Sequence, residues 1–291
     1  MEGILVGCGQ ITWGGSHTSP EQVMAEIAQA GYEGAPAGPD SSAEETLRFF
    51  ADYGLKPAPG YLGGDFWKAD QHDDFLERAR RYCAFMREVG CTELYISAGG
   101  FDWRAPSGRT RREAAAKARP DDALPTDDFQ RLAETVNEIG AIGQREGVLL
   151  CYHNHVGTVV ETLAEVERLL ELVDPALIAL GPDTGHLAWA GVDVVAFVQK
   201  YASRIKTLHV KDIDPDVLKA GVAADWDYGA FSQHGIFAEL GEGFVDFPTV
   251  FATLRDAGFS GWAIAETDVT QKPTALESVT ISRAYLRTIG V

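Results

Sequence analysis

Short apolar runs alternate with longer helix-like segments along the whole chain, and this alternation restricts the possible fold more than any other feature of the sequence. Eight runs predict strands, at residues 4–8, 32–37, 55–61, 93–97, 148–153, 177–183, 205–210 and 262–266. The segments between them have helical periodicity, and several end in Gly, as helix C-termini prefer. No Pro/Ser-rich linker interrupts the pattern.

Eight strand and helix units in 291 residues predict an α/β fold, a single (β/α)8 TIM barrel over residues 1–291 with long insertions in its βα loops. A doubly wound open sheet is the alternative. Such a sheet would normally have a Gly-rich phosphate turn after the first strand, and "GCGQITWG" lacks the GxGxxG spacing. The barrel is therefore favoured, and we expect the chemistry at the C-terminal ends of its strands.

The charge and the cysteines restrict partners and compartment. A net charge of −18 repels a phosphate backbone over most of the surface, so we expect no nucleic-acid partner. No apolar run approaches the roughly 18 residues of a membrane span, which predicts no membrane partner. The four cysteines have no CxxC spacing and are expected to be reduced thiols, so a cytoplasmic protein is predicted.

Ionisable side chains cluster at the ends of the last four predicted strands. They are His153 and His155 after strand five, Asp183 and His186 after strand six, His209 and Lys211 after strand seven, and Glu266 at the end of strand eight. Four of the seven histidines thus lie at three adjacent strand ends. Imidazoles and carboxylates that converge in this way predict a site for Mn²⁺, Co²⁺, Mg²⁺ or Zn²⁺.

Two segments are longer than ordinary βα loops. Residues 99–125, called here the basic loop, carry six basic residues between Arg104 and Arg119. This loop is either a lid, a subunit contact, a clamp for an anionic substrate or a solvated loop. Residues 214–239, called here the aromatic insertion, contain rings that either line a sugar pocket or contact a neighbouring subunit.

Five motifs in order, "YHNHVGTVVET", "DTGHLAWAG", "RIKTLHVKDI", "LGEGFVDF" and "GWAIAETD", resemble the xylose isomerase-like superfamily of sugar isomerases and epimerases. Within it, the sequence is most similar to the inosose (2-keto-myo-inositol) dehydratases. The resemblance extends over nearly the whole chain and implies a metal-dependent barrel, which agrees with the strand count.

The resemblance also implies a set of metal ligands. The superfamily's Asp, His and last Glu ligands correspond to Asp183, His209 and Glu266. At the end of strand five the family usually has a Glu, whereas this chain has His153, so either His153 or Glu161 completes the shell. Two imidazoles and two carboxylates would favour Mn²⁺ or Co²⁺ over Mg²⁺.

The activity implied is that of a lyase or isomerase acting on a small polyol ketone or ketose. The favoured reaction is water elimination of the inosose dehydratase kind through an enediolate, with Glu266 or Glu161 as the base and His155, His186 or Lys211 as the proton donor. The alternatives are a ketose isomerase or epimerase, a metal-dependent abasic-site endonuclease and a catalytically silent sugar-binding barrel. A homo-oligomer is compatible with the sequence.

The end of the second predicted strand departs from the family pattern. Members often have an acidic "VELG"-like end there, whereas this chain has "EGAPAG". We therefore expect the substrate contacts on that side of the barrel to differ from those of the family.

Overall fold

A computed structural model describes residues 3–291, and these residues form a TIM barrel. The strands are β1 Ile4–Cys8, β2 Gly34–Pro36, β3 Lys56–Ala58, β4 Tyr61–Gly64, β5 Glu93–Ala98, β6 Leu149–Tyr152, β7 Ile178–Leu180, β8 Leu208–Val210, β9 Asp212–Ile213, β10 Phe237–Ala238 and β11 Gly261–Ala265. All eight predicted strands are present, the third of them divided into β3 and β4. The predicted barrel is confirmed.

The strands form two parallel sheets, in the orders β3-β2-β1-β11-β8 and β4-β5-β6-β7, and two junctions complete the barrel. At the first, Pro59 lies between β3 and β4 and lacks the N–H that a continuous ladder would use. At the second, single pairings join Leu180 to Ile205 and Asp183 to His209. The second junction places Asp183 beside His209 at the C-terminal end of the barrel.

Helices surround the strands, and side-chain caps begin many of them. They are α1 Pro20–Ala30, α2 Ala43–Ala51, α3 His72–Glu88, α4 Arg111–Ala114, α5 Thr126–Glu146, α6 Leu163–Leu172, α7 Thr184–Trp189, α8 Val194–Tyr201, α9 Pro215–Ala223, α10 Tyr228–Gln233, α11 Phe247–Asp256 and α12 Ala275–Thr288. Ser42 and Thr162 form capping boxes at the starts of α2 and α6. Within residues 3–291, no helix is both long and apolar enough to span a membrane.

Side chains from strands on opposite sides fill the interior below the catalytic end. The hydroxyls of Tyr95 on β5 and Thr207 before β8 lie 2.6 Å apart across the barrel. The Tyr95 ring occupies the space beside Gly181, where an added Cβ would lie 2.6 Å from it. The same ring lies 4.2 Å, centre to centre, from the imidazole of His209. Tyr95 therefore forms the floor of the site.

Candidate active site

A pocket of about 340 Å³ opens at the C-terminal ends of the strands. Besides Tyr61 on β4, its polar lining comes from β8 and from the segments that follow β6, β8 and β11, and comprises His153, His155, His209, Lys211, Glu266 and Asp268. The structure therefore brings together most of the residues that the sequence singles out. Asp183 and His186 are fully buried and contact members of this group from behind.

Four potential ligand side chains surround one point. Oδ2 of Asp183 lies 4.0 Å from Nε2 of His153 and 3.9 Å from Nδ1 of His209, which is itself 3.0 Å from Oε2 of Glu266. Donor atoms that share one ion at about 2.1 Å stand about 3–3.5 Å apart. These spacings therefore suit a divalent ion after shifts of about 1 Å or less.

The hydrogen bonding of these groups gives an independent test of the fit. Oδ2 of Asp183 and both ring nitrogens of His209 are buried, yet among residues 3–291 they make no hydrogen bond of good geometry. A buried polar atom left without a partner costs about 1–3 kcal/mol, so such atoms are rare. A cation bound beside them would use a lone pair of Asp183 Oδ2 and that of one ring nitrogen of His209, and the donor set fits a divalent metal.

The "DTGH" segment holds Asp183 in place. The other carboxylate oxygen of Asp183, Oδ1, accepts the N–H of His186 at 2.8 Å, so Asp183 caps α7. The side-chain amide of Asn154 exchanges two hydrogen bonds with the backbone of Asp183. Gly185 is required because an added Cβ would lie 2.7 Å from the side chain of Lys211.

Lys211 lies buried among the acidic groups of the pocket. Its Nζ is 2.6 Å from Asp268, 3.2 Å from Asp183 and 3.4 Å from Glu266. Burial alone would lower the pKa of Lys211, but these three carboxylates outweigh burial and raise the pKa well above its usual value. The side chain is therefore an ammonium donor at neutral pH.

Asp268 is a site residue that the sequence reasoning missed. It follows Glu266 by two residues, so both side chains can face the pocket at the end of the last strand. Burial raises the pKa of Asp268 to about 6, although the charge of Lys211 opposes the shift. The signal in the sequence was the acidic pair in "AETD".

The rings of His155, which lines the pocket, and His186 behind it lie against each other, tilted by 36° with ring centres 3.6 Å apart. Nδ1 of His155 donates to the carbonyl of Val156 at 2.7 Å, which leaves Nε2 as the acceptor, and burial lowers the pKa of His155 to about 3. Nδ1 of His186 lies 3.4 Å from the backbone nitrogen of Val156 and Nε2 lies 3.3 Å from Nζ of Lys211, and a neutral ring can accept from only one of these donors. Burial, His155 and Lys211 lower the pKa of His186, so both rings are neutral near pH 7.

Glu161 does not join the group that lines the pocket. Its carboxylate accepts N–H groups of Gly157 and Ala116 at 2.7 and 2.8 Å and lies 3.6 Å from Arg111. Burial raises the pKa of Glu161 to about 7, while Arg111 opposes that shift. The oxygens of Glu161 are thus occupied by the backbone of the neighbouring loops.

A buried ion pair anchors the basic loop to α6. Arg111 is completely buried and makes a bidentate pair with Glu165, with both N–O distances 2.9 Å. It also donates to the carbonyls of Thr158 and Asp122. At Arg111 the positive charge is therefore used inside the protein and is not available to a phosphate.

The aromatic insertion packs its rings against the histidine side of the pocket. Phe231 and Phe237 are buried within this chain against the ring of Trp189. Tyr228 stacks on His155 with 5.9 Å between ring centres. These rings therefore pack around the paired rings of His155 and His186.

A clasp joins the basic loop to the aromatic insertion. Nζ of Lys117 donates to Oδ1 of Asp225 at 2.7 Å and to the carbonyl of Trp226 at 2.6 Å. The backbone beside it is strained, since Ala116 and Asp225 are the two non-glycine residues with positive φ in the described part of the chain, at 63° and 55°. The clasp thus ties the two loops to each other.

Comparisons with known proteins agree with this architecture. The family profile described as xylose isomerase-like TIM barrel matches residues 24–288. Inosose dehydratase of Geobacillus kaustophilus (strain HTA426) is 31% identical over 276 residues, covering 92% of this chain and 86% of that protein. Inosose dehydratase of Mesomycoplasma hyopneumoniae (strain 7448) is 30% identical, covering 99% of this chain and 97% of that protein. The crystal structure of the probable 3-DHS dehydratase AsbF from Bacillus anthracis matches with a TM-score of 0.72 at 17% identity, covering 97% of this chain and 98% of that one.

Proposed function

This chain belongs to the xylose isomerase-like TIM barrel family, and we propose that it is a metal-dependent lyase that removes water from a cyclic polyhydroxy ketone of the inosose type. The observation that carries the proposal is the convergence of buried ligand atoms, which lack hydrogen bonds of good geometry among residues 3–291, beside a buried ammonium group in one pocket. Two relatives at about 30% identity are named inosose dehydratase, which supports the choice of substrate class.

His153, Asp183, His209 and Glu266 are the proposed metal ligands. Two imidazoles and two carboxylates favour Mn²⁺ or Co²⁺ over Mg²⁺, which prefers an all-oxygen shell. When bound, the ion supplies Lewis-acid polarisation of the substrate carbonyl. His153 takes the fourth position because the carboxylate of Glu161 is held by two backbone N–H groups.

Asp268 and Lys211 are the proposed proton-transfer pair. Dehydration needs one group that accepts the proton from the carbon next to the carbonyl and another that gives a proton to the departing hydroxyl. The Asp268 carboxylate accepts the first proton, and the Lys211 ammonium donates the second. A proton transfer across their 2.6 Å contact then restores both groups.

His155 and His186 orient the substrate in this proposal. Nε2 of His155 is a free acceptor on the pocket wall and takes a hydrogen bond from a substrate hydroxyl. His186 lies behind it and holds Lys211 through a 3.3 Å contact. Glu161, one of the two bases that the sequence suggested, instead supports the loops around the pocket.

An isomerase or epimerase would use the same groups but return the proton to a carbon atom, so the products separate the two reactions. An abasic-site endonuclease would need several exposed phosphate contacts. In the basic loop, Arg111 and Lys117 are instead bound within the protein. We therefore propose a small neutral substrate and no nucleic-acid partner.

The test is incubation of the Mn²⁺-loaded protein with 2-keto-myo-inositol and, in parallel, with a panel of ketoses. We expect loss of water from the cyclic ketone, detected by product mass, and loss of activity after chelation. Lys211→Met should lower kcat by about 10²-fold or more. The matched control Lys206→Met alters an exposed lysine at the opposite end of β8 and should keep full activity. Isomerised ketoses without water loss would overturn the dehydratase assignment.

A further inference from the structure

The pocket has a second half whose chemistry differs from that of the metal cluster. Ile11, Pro36 and Pro59 line it, and they follow or end the first three strands of the barrel. Tyr61 lies at the border, with its ring 5.3 Å from that of His153. Because β1, β2 and β3 lie opposite β6, β7 and β8 in the closed barrel, this apolar wall faces the histidines and Lys211 across the pocket, whereas Glu266 and Asp268 follow β11 beside β1.

The backbone of the wall offers few hydrogen-bond donors. Neither Pro36 nor Pro59 has an N–H. The next residues turn theirs away, since the N–H of Ala37 donates to the carbonyl of Ala58 at 3.3 Å and that of Gly60 faces the sulfur of Met86 at 3.4 Å. A hydroxyl pressed against this wall would lose its hydration without gaining a donor in exchange.

Ile11 strengthens the same pattern. Its side chain is 49% exposed, although it is a large aliphatic residue at the mouth of a pocket that binds a polar substrate in the proposed function. A ligand that brought an apolar group to this place would remove that surface from water. An apolar group on the ligand would therefore explain both the exposed side chain of Ile11 and the two prolines.

We propose that the natural substrate is a cyclic polyol ketone in which the ring carbon opposite the carbonyl carries no free hydroxyl, being either deoxygenated or O-alkylated. The inference rests on the proposed function, in which the metal ligands at the ends of β6, β7, β8 and β11 hold the carbonyl side of the ring. The opposite ring carbon then meets the wall of Ile11, Pro36 and Pro59. The fully hydroxylated inosose becomes a poorer substrate of the same enzyme.

Discrimination of this kind has a known scale. One methyl or methylene group in an apolar pocket changes kcat/KM by about 10- to 200-fold. We therefore expect the 5-O-methyl or 5-deoxy derivative of 2-keto-myo-inositol to have a kcat/KM at least about tenfold above that of the parent ketone. Parallel turnover of all three ketones by the Mn²⁺-loaded protein gives this ratio.

A binding measurement separates failure of this inference from failure of the proposed function. Calorimetry on the Mn²⁺-loaded protein compares myo-inositol with 5-O-methyl-myo-inositol, neither of which is a ketone that can be dehydrated. Tighter binding of the methyl ether supports the wall even if no ketone is turned over. Equal binding, tighter binding of myo-inositol, or no binding of either overturns it, even if the inosose is dehydrated.

Substitutions in the wall complete the test. Ile11→Asn places an amide at an exposed rim position that folding tolerates, and Pro36→Asn places one deeper in the pocket. Both substitutions should lower the ratio of kcat/KM for the 5-O-methyl or 5-deoxy ketone to kcat/KM for the parent ketone by about tenfold or more. The matched controls Ile11→Val and Pro36→Val keep an apolar wall and should keep the original preference. An unchanged ratio in both Asn variants contradicts the proposal.

Discussion

Replacing Arg111 with Met should destabilise the protein more than any other single change in the basic loop. The guanidinium is completely buried and makes two 2.9 Å contacts with Glu165 as well as hydrogen bonds to two carbonyls. Met fills a similar volume but carries no charge. The substitution therefore tests the electrostatic role of Arg111 with little change in packing.

The size of the effect follows from what is left behind. Without Arg111, the carboxylates of Glu165 and Glu161 remain buried close to each other with no cation beside them. Removing one partner of a buried ion pair costs about 3–5 kcal/mol. The neighbouring Arg112 is the matched control, because its side chain is 41% exposed and pairs with an Asp102 side chain that is 83% exposed. Such surface pairs contribute about 0–1 kcal/mol.

Urea unfolding followed by circular dichroism gives both free energies under the same conditions. We expect Arg111→Met to lose about 3–5 kcal/mol and Arg112→Met to lose about 1 kcal/mol or less. Arg111→Lys should fall between them, because lysine keeps the charge but lacks the planar fork. Equal losses in Arg111→Met and Arg112→Met would refute the reasoning that this buried pair anchors the loop.

Three further predictions concern the metal, the substrate and pH. Asp183→Asn should weaken Mn²⁺ binding by about 100-fold or more, measured by calorimetry, and unchanged affinity would remove Asp183 from the ligand set. His186→Ala should lower kcat/KM about 100-fold with metal content unchanged, and loss of metal in this variant would make it a ligand instead. Because the pKa of Glu161 is raised from 4.5 to about 7, its contribution to stability is fully present below pH 4.5 and is lost as the pH rises through about 7. This loss amounts to about 3 kcal/mol and should be absent in Glu161→Gln, as measured by unfolding at a series of pH values. A pH dependence identical in the two proteins would contradict it.

The strand pattern predicted the barrel because each parallel strand is buried on both faces and so appears as a short apolar run. Individual residues made the observed ends of two strands differ from the predicted ends. The predicted strand 177–183 ends at Leu180 because Asp183 caps α7, and the predicted strand 55–61 is broken at Pro59. The capping box of Thr162 and Glu165 is a contact that spacing alone can indicate, since both partners are close in sequence.

Contacts between distant segments could not be predicted in this way. Whether Glu161 faces the pocket depends on Ala116 and Arg111, which lie about 50 residues earlier in the chain. The acidic pair in "AETD" draws attention to Asp268, but its role depends on Lys211, which the fold places 2.6 Å from it. The apolar wall is likewise visible only once the ends of three strands meet at one pocket.

The clasp between Lys117 and Asp225 has a consequence for how this enzyme can diversify. The basic loop and the aromatic insertion are far apart in sequence, yet each supplies one side of the clasp and of its strained backbone. Exchange of either loop alone would leave Lys117 or Asp225 without this partner unless the incoming loop supplied one. Recombination or loop grafting that aims at a new substrate should therefore transfer both loops together.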